Sequence, residues 1–220
     1  METSPQIPRG ARLHLGCGGQ PLPGYVNIDV PASGRQPVPK ADVFADFTTL
    51  ALPEGHVAEV RLHHVFEHFR KGEAVALLAR FNGWLQPGGA LRIEVPDFGD
   101  TAFYYFLTGD LRALRHLVGS QEAPWATHHE LWDARQLRRA LALFGFGRIR
   151  LRKNRMWFRR SRRKWWRNLT AEARKARALT PEEARRAAEA FFEPYLINRE
   201  IERSAWLGHF DEMMRRGGEA

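Results

Sequence analysis

The sequence predicts an α/β protein: a Rossmann-like, doubly wound, mostly parallel sheet with helices on both faces, followed by a helical, basic C-terminal extension. Three observations predict it. Short apolar runs alternate with stretches of helical spacing, the pattern of a parallel sheet with crossover helices. A glycine-rich turn, Gly16-Cys17-Gly18-Gly19, follows the first apolar run directly. Gly16, Asp29, Asp46, His64 and Asp97 all fall at the carboxyl ends of expected strands, the rim at which such sheets bind ligands.

Taken in order, Leu13–Leu15 and Tyr25–Val30 read as the first two strands. The nine residues between them hold two prolines and four glycines, too few and too broken for the dozen or more that a helical crossover needs. One irregular turn is expected there. After the Pro-rich loop 31–39, Asp42–Phe47 and Val57–Leu62 read as short strands. Ala74, Leu77, Leu78, Phe81, Trp84 and Leu85 then follow helical spacing from Glu73 onward, and Pro87-Gly88-Gly89 stops the helix. Ala90–Val95 is a strongly apolar strand closed by Pro96-Asp97.

Asp133 is placed to cap a helix 134–144 that Gly145 ends. Ile149 and Leu151 alternate with arginines as a half-exposed strand would. Thr180-Pro181-Glu182-Glu183 combines an N-cap, a proline at the first helical position and a capping-box glutamate. The tail 194–217 suits one more helix. The expected organisation is a flexible N-terminus over 1–11, one α/β domain over 12–152, and a basic aromatic stretch with C-terminal helices over 153–220.

Composition narrows the function. A chain of 220 residues with 44% hydrophobic content can bury a core and is not expected to be disordered. METSPQIPRGAR carries no apolar run suited to a signal peptide, and no run approaches the roughly 18 residues of a membrane span, so a cytoplasmic protein is expected. The single cysteine, Cys17, excludes an intrachain disulfide and a multi-cysteine zinc site.

His64-Val65-Phe66-Glu67-His68 spells H-x-x-E-H, a zinc signature when it lies on one helix. Here a strand leads into His64, which takes it out of helical register with His68, and no metal is expected. The glycine turn fits neither the dinucleotide fingerprint nor a P-loop. Pro21 stands where the third glycine belongs, Asp29 follows Gly18 by only eleven residues, and no G-K-[ST] follows.

Net charge is +9, yet eleven of the 34 Lys and Arg lie in Arg148–Arg167, which has no Asp or Glu. The other residues carry 23 bases against 25 acids. Within the basic stretch, Trp157, Phe158, Trp165 and Trp166 interleave with cations. Such a stretch can be a solvated edge whose aromatics pack onto the domain; as a functional surface, arginines with tryptophans suit an anionic membrane and, less well, unpaired nucleic acid. A peripheral place on the inner membrane face would follow from the membrane reading.

As a whole the segment LHLGCGGQPLPGYVNID resembles the class I S-adenosylmethionine-dependent methyltransferases, especially small bacterial members. LHHVFEHF is similar to their fourth-strand segment, WLQPGGALRIEVPDF to their helix, turn and fifth strand, and HHELWDARQLRRALALFGF to the segment before the sixth strand. The likeness covers about residues 12 to 152. The resemblance implies S-adenosyl-L-methionine as cofactor: Gly16, Cys17, Gly18 and Gly19 beside its methionyl part, Asp29 on the ribose hydroxyls, Asp46 with Phe47 near the adenine, and His64 lining the pocket. It implies methyl transfer to a small-molecule or glycan acceptor, expected at a hydroxyl, with His64, His128 and His129 as candidate bases. The alternative is an inactive nucleotide-fold protein that docks on membrane or RNA. The family's leading helices and a full first crossover are absent, which would leave the pocket more open, or completed by the C-terminal helices.

Overall fold

The structure, a computed structural model, describes residues 7–31, 38–157 and 165–217. The tip of the basic stretch, 158–164, and the side chains of Trp157, Trp165 and Trp166 lie outside the described residues.

Seven strands form one sheet: β1 (Arg12–Leu15), β2 (Val26–Asp29), β3 (Val43–Phe44), β4 (Val57–His63), β5 (Leu85–Pro96), β6 (Phe146–Trp157) and β7 (Trp165–Lys175). Their order is β3-β2-β1-β4-β5-β7-β6. The first five pair in parallel, while β7 runs antiparallel between β5 and β6. Among the described residues six α-helices accompany them: α1 (Lys71–Trp84), α2 (Phe98–Thr108), α3 (Leu111–Val118), α4 (Ala134–Leu143), α5 (Pro181–Phe192) and α6 (Arg199–Arg216).

β1 and β2 are joined by residues 16–25 with no helix between them, the irregular turn the glycines and prolines call for. Asn27 sets its shape. Its Nδ2 donates to the Leu22 carbonyl (3.2 Å) and to Asp42 (2.8 Å), while its Oδ1 accepts from the Leu22 N–H (2.7 Å).

Strand alternation decides what each face of the sheet meets. Leu13, Leu15, Val60, Leu62, Leu91, Ile93, Leu169 and Ala171 turn into one core with the apolar sides of α1, α4, α5 and α6. The intervening residues, Arg12, Glu59, Arg92, Glu172 and Arg150, form a polar lattice on the other face, with Arg12 3.0 Å and Arg92 3.4 Å from their glutamate partners. That face is buried only toward the carboxyl ends of the strands, where Asn168 and Thr170 lie beside α2 and α3. The expected helical layers are therefore uneven, because the abbreviated first crossover supplies no helix there.

Four elements differ from their sequence reading. β5 starts at Leu85 and takes in Pro87-Gly88-Gly89, which were expected to separate the helix from a strand beginning at Ala90. The strand expected over 42–47 is only two residues long, because Asp46 instead starts a turn, accepting from the Thr48 N–H (2.8 Å) and hydroxyl (2.7 Å). The sequence reading assigned no helix to 98–118, yet α2 and α3 occupy it. Aspartates cap both: Asp97 accepts from the Asp100 N–H and Asp110 from the Arg112 N–H, each at 3.1 Å. Beyond residue 152 the sheet continues without a break, since β6 runs to Trp157 and β7 lies inside the sheet.

The C-terminal helices complete the same core. α6 crosses α1 at Gly72, where a Cβ would lie 2.2 Å from the Trp206 carbonyl oxygen. Only glycine permits that approach. Lys71 of α1 donates to Glu130 at 2.6 Å and stands 4.1 Å from the centre of the Tyr195 ring, tying α1 to the segment before α4 and to the turn after α5.

Candidate active site

The carboxyl ends of β1, β2, β4 and β5 gather Gly16, Asp29, His64 and Asp97 along one edge of the sheet. Gly16, at φ 66°, presses against the chain leaving β4, since a Cβ there would lie 2.5 Å from Val65 Cγ2. Gly18, at φ 53°, has nothing within 4 Å of its Cβ position. One glycine is therefore set by packing. The other borders open space.

Asp29, almost wholly buried, holds this loop: its Oδ2 accepts from the Gly18 N–H at 2.7 Å and its Oδ1 from the Val30 N–H at 2.8 Å. Cys17 is buried, and its thiol points to the Gly18 carbonyl at 3.6 Å. The turn from Asp46 is clamped by Arg80 of α1, which donates to the carbonyls of Thr48 and of Leu50 (2.7 Å). Burial pushes the Arg80 guanidinium down to about 10, against the pull of Asp46. Phe47 lies in the core, its ring edge-on to Phe69 at 5.8 Å.

After β4 the backbone turns at His64, φ 54°, before a short 3-10 turn Phe66–His68. His64 and His68 do not share a helix face. His64 Nδ1 lies 3.1 Å from Glu67 Oε1 and its Nε2 2.8 Å from Asn168 Nδ2. An amide nitrogen can only donate, so His64 donates from Nδ1 to Glu67 and accepts at Nε2. Burial opposes its charge, but the bond and charge of Glu67, with that of Glu94, hold its pKa above the ordinary value.

Glu67 is buried at 1% exposure. Burial raises its pKa, but His64, followed by the charges of His68 and His128, outweighs that and keeps it lowered. His128 reaches this carboxylate from the far side, its Nε2 3.9 Å from Glu67 Oε1. The His68 and His128 rings meet edge-on at 4.7 Å. Gly119 permits this: at φ 82° its Cβ would sit 2.1 Å from the Ala126 carbonyl and 3.1 Å from the His128 ring. His116 of α3 stands 6.1 Å from His64, its pKa pushed down to about 4 by burial and by the charge of His64.

The structure thus brings Gly16, Gly18, Asp29 and His64 to one rim and sets His128 behind His64 across Glu67. Asp46 sits in its own turn nearby, Phe47 is turned inward, and His129 is exposed, its N–H donating to the Glu67 carbonyl at 2.8 Å. Sequence reading passed over Asn168 and His116. Asn168 lies in the strand read as part of the basic stretch, and His116 in a helix not expected.

No protein-family model matches the sequence, and no curated protein matches it. Solved structures match its fold. A SAM-dependent methyltransferase from Methanosarcina mazei superposes with a TM-score of 0.52 at 13% identity, over 80% of this chain and 95% of that one. Another from Thermotoga maritima gives 0.53 at 12% identity, over 77% of this chain and 84% of that one. The chain has the fold of the class I S-adenosylmethionine-dependent methyltransferases. In that fold its glycine turn, Asp29 and His64 stand at the carboxyl edge of the sheet, where ligands of open α/β sheets bind.

Proposed function

We propose that the protein is an S-adenosylmethionine-dependent methyltransferase acting on a hydroxyl of a small-molecule or glycan acceptor. The observation that carries this is the Gly18 N–H held by the Asp29 carboxylate at 2.7 Å beside open space. That is a backbone a ligand can approach closely, next to an acid able to accept ribose hydroxyls. Gly16 to Gly19 would border the methionyl part, Asp29 the ribose, and the Asp46 turn the adenine. When bound, the cofactor supplies a methyl group already activated on a sulfonium. The C–S bond breaks as the C–O bond forms, and the acceptor's proton must leave.

The chain's own work is alignment, exclusion of water and acceptance of that proton. Of the three histidines considered, His64 has both ring nitrogens engaged and His129 faces solvent. The groups beside the rim that remain are Glu67, His68 and His128. Calorimetry with S-adenosylmethionine and S-adenosylhomocysteine tests the reading. Micromolar binding that falls at least tenfold in Asp29→Ala is expected; no binding of either compound by the folded protein would overturn it.

An anionic membrane surface is the favoured setting for the acceptor. Phe103, Phe106 and Leu107 of α2, with Leu111, Leu114 and Val118 of α3, form exposed apolar faces on two contacting helices. Lys153 and Arg167, at the root of the basic hairpin, pair with Asp100 of the same α2 at 2.6 Å. Apolar side chains beside cations suit the headgroup region. No helix of the described residues is long and apolar enough to cross a membrane.

A further inference from the structure

We propose that Glu67, His68 and His128 form a binding site for a divalent cation of the zinc class. One ligand atom from each lies within 4.8 Å of the others. His68 Nδ1 is 2.9 Å from the Thr127 carbonyl and His128 Nδ1 is 3.0 Å from the Leu117 carbonyl. A carbonyl only accepts, so both Nδ1 atoms carry hydrogen, and each neutral ring presents its Nε2 lone pair. Ligating histidines are held in this way, by a second hydrogen bond that sets tautomer and orientation.

Glu67 supplies the charge. Its Oε1 accepts from His64, while its Oε2 is buried without a hydrogen-bond partner. A desolvated carboxylate in one cluster with two imidazoles that offer lone pairs gathers acceptors with a buried oxygen left without a donor, which is costly unless a cation lies between. Tetrahedral zinc, with bonds of ~2.0–2.1 Å to nitrogen and oxygen, draws such atoms somewhat closer, within reach of side-chain rotation. Two imidazoles and one carboxylate match its preferences and leave one position open.

The other candidate cluster, His63, His64 and Glu94, fits less well. Its Glu94 already accepts from Asn168 and Thr170, each at 3.0 Å, and His64 has both nitrogens engaged. Neither H-x-x-E-H histidine pairing nor sequence spacing makes the favoured site. The loop closed by Gly119 delivers the third ligand from sixty residues downstream. Resting on the methyl-transfer reading, the open position would take the acceptor oxygen, so that the cation acidifies the hydroxyl, whose proton passes to solvent water in place of a histidine base.

The test uses the full chain without a histidine tag, stripped with chelator. Zn²⁺ is titrated by calorimetry, Co²⁺ by its visible absorption, and S-adenosylmethionine is titrated into the same preparation. Expected is one saturable Zn²⁺ site, a tetrahedral Co²⁺ spectrum, and affinity lowered roughly 10–100-fold or more in Glu67→Gln, His68→Asn and His128→Asn, with His63→Asn unchanged. Circular dichroism confirms that each variant folds, and any one folded ligand variant suffices. No saturable binding, as for a centre that holds only a proton, or binding that none of the folded ligand variants weakens, overturns the site. Failure to bind S-adenosylmethionine would remove the methyl-transfer reading and leave the cation site standing.

Discussion

A half-buried carboxylate on a sheet rim answers to its neighbours more than to its own chemistry. Glu94 lies on β5 within reach of His63 at 3.3 Å, Asn168 and Thr170. Burial alone would raise its pKa from the ordinary 4.5, but His63, Asn168 and Thr170 outweigh it and bring it down to about 2. The folded value is below the unfolded one, so Glu94 adds stability above pH 4.5 and loses it as pH falls from about 4.5 toward 2. Denaturant unfolding of the native protein between those pH values should therefore show a steeper loss than that of Glu94→Gln; equal slopes would deny Glu94 this role. Asp29 shows how far a residue's work is legible in sequence. Its place at the end of a strand is readable, but its grip on the Gly18 N–H is not, because that needs β1 and β2 side by side.

At the scale of elements, periodicity carried the reading where an element has one wet side. α4 and α5 were legible from apolar spacing and caps, and the alternation around Ile149 and Leu151 reports β6, one face of which is polar; α1 showed its apolar spacing although it is buried nearly all round, and α6 is the helix expected of the tail. α2 and α3 were not legible, because FYYFLT is rich in residues that favour strands and their apolar faces turn to solvent instead of to the core. The crossing of α6 over α1 yields a direct prediction. Gly72→Ala forces the Trp206 carbonyl away from a 2.2 Å approach, which should destabilise by about 1–3 kcal/mol as overpacking does. The measurement is thermal or denaturant unfolding, and an unchanged midpoint would contradict the tight crossing.

Over the whole molecule, the basic stretch is tied at its root to α2, where Lys153 and Arg167 pair with Asp100, and α2 with α3 carries the exposed apolar faces. If this side rests on anionic lipid, Trp165→Ser with Trp166→Ser should lower recovery with anionic liposomes in flotation. Phe106→Ser should do the same, and raised salt should weaken binding of the native chain. Equal recovery of native and substituted protein in the lipid-free fraction would remove the membrane setting. By itself the sequence determined the α/β class, the order of most elements, the glycine turn and the acids at strand ends, because these follow from short-range periodicity and backbone freedom. Only the tertiary structure decided that β7 enters the sheet antiparallel beside β5, so that Asn168 reaches His64, and that Gly119 folds His128 back onto Glu67. Contacts between residues sixty or a hundred positions apart leave no local pattern, so the site behind H-x-x-E-H becomes visible only once the chain is packed.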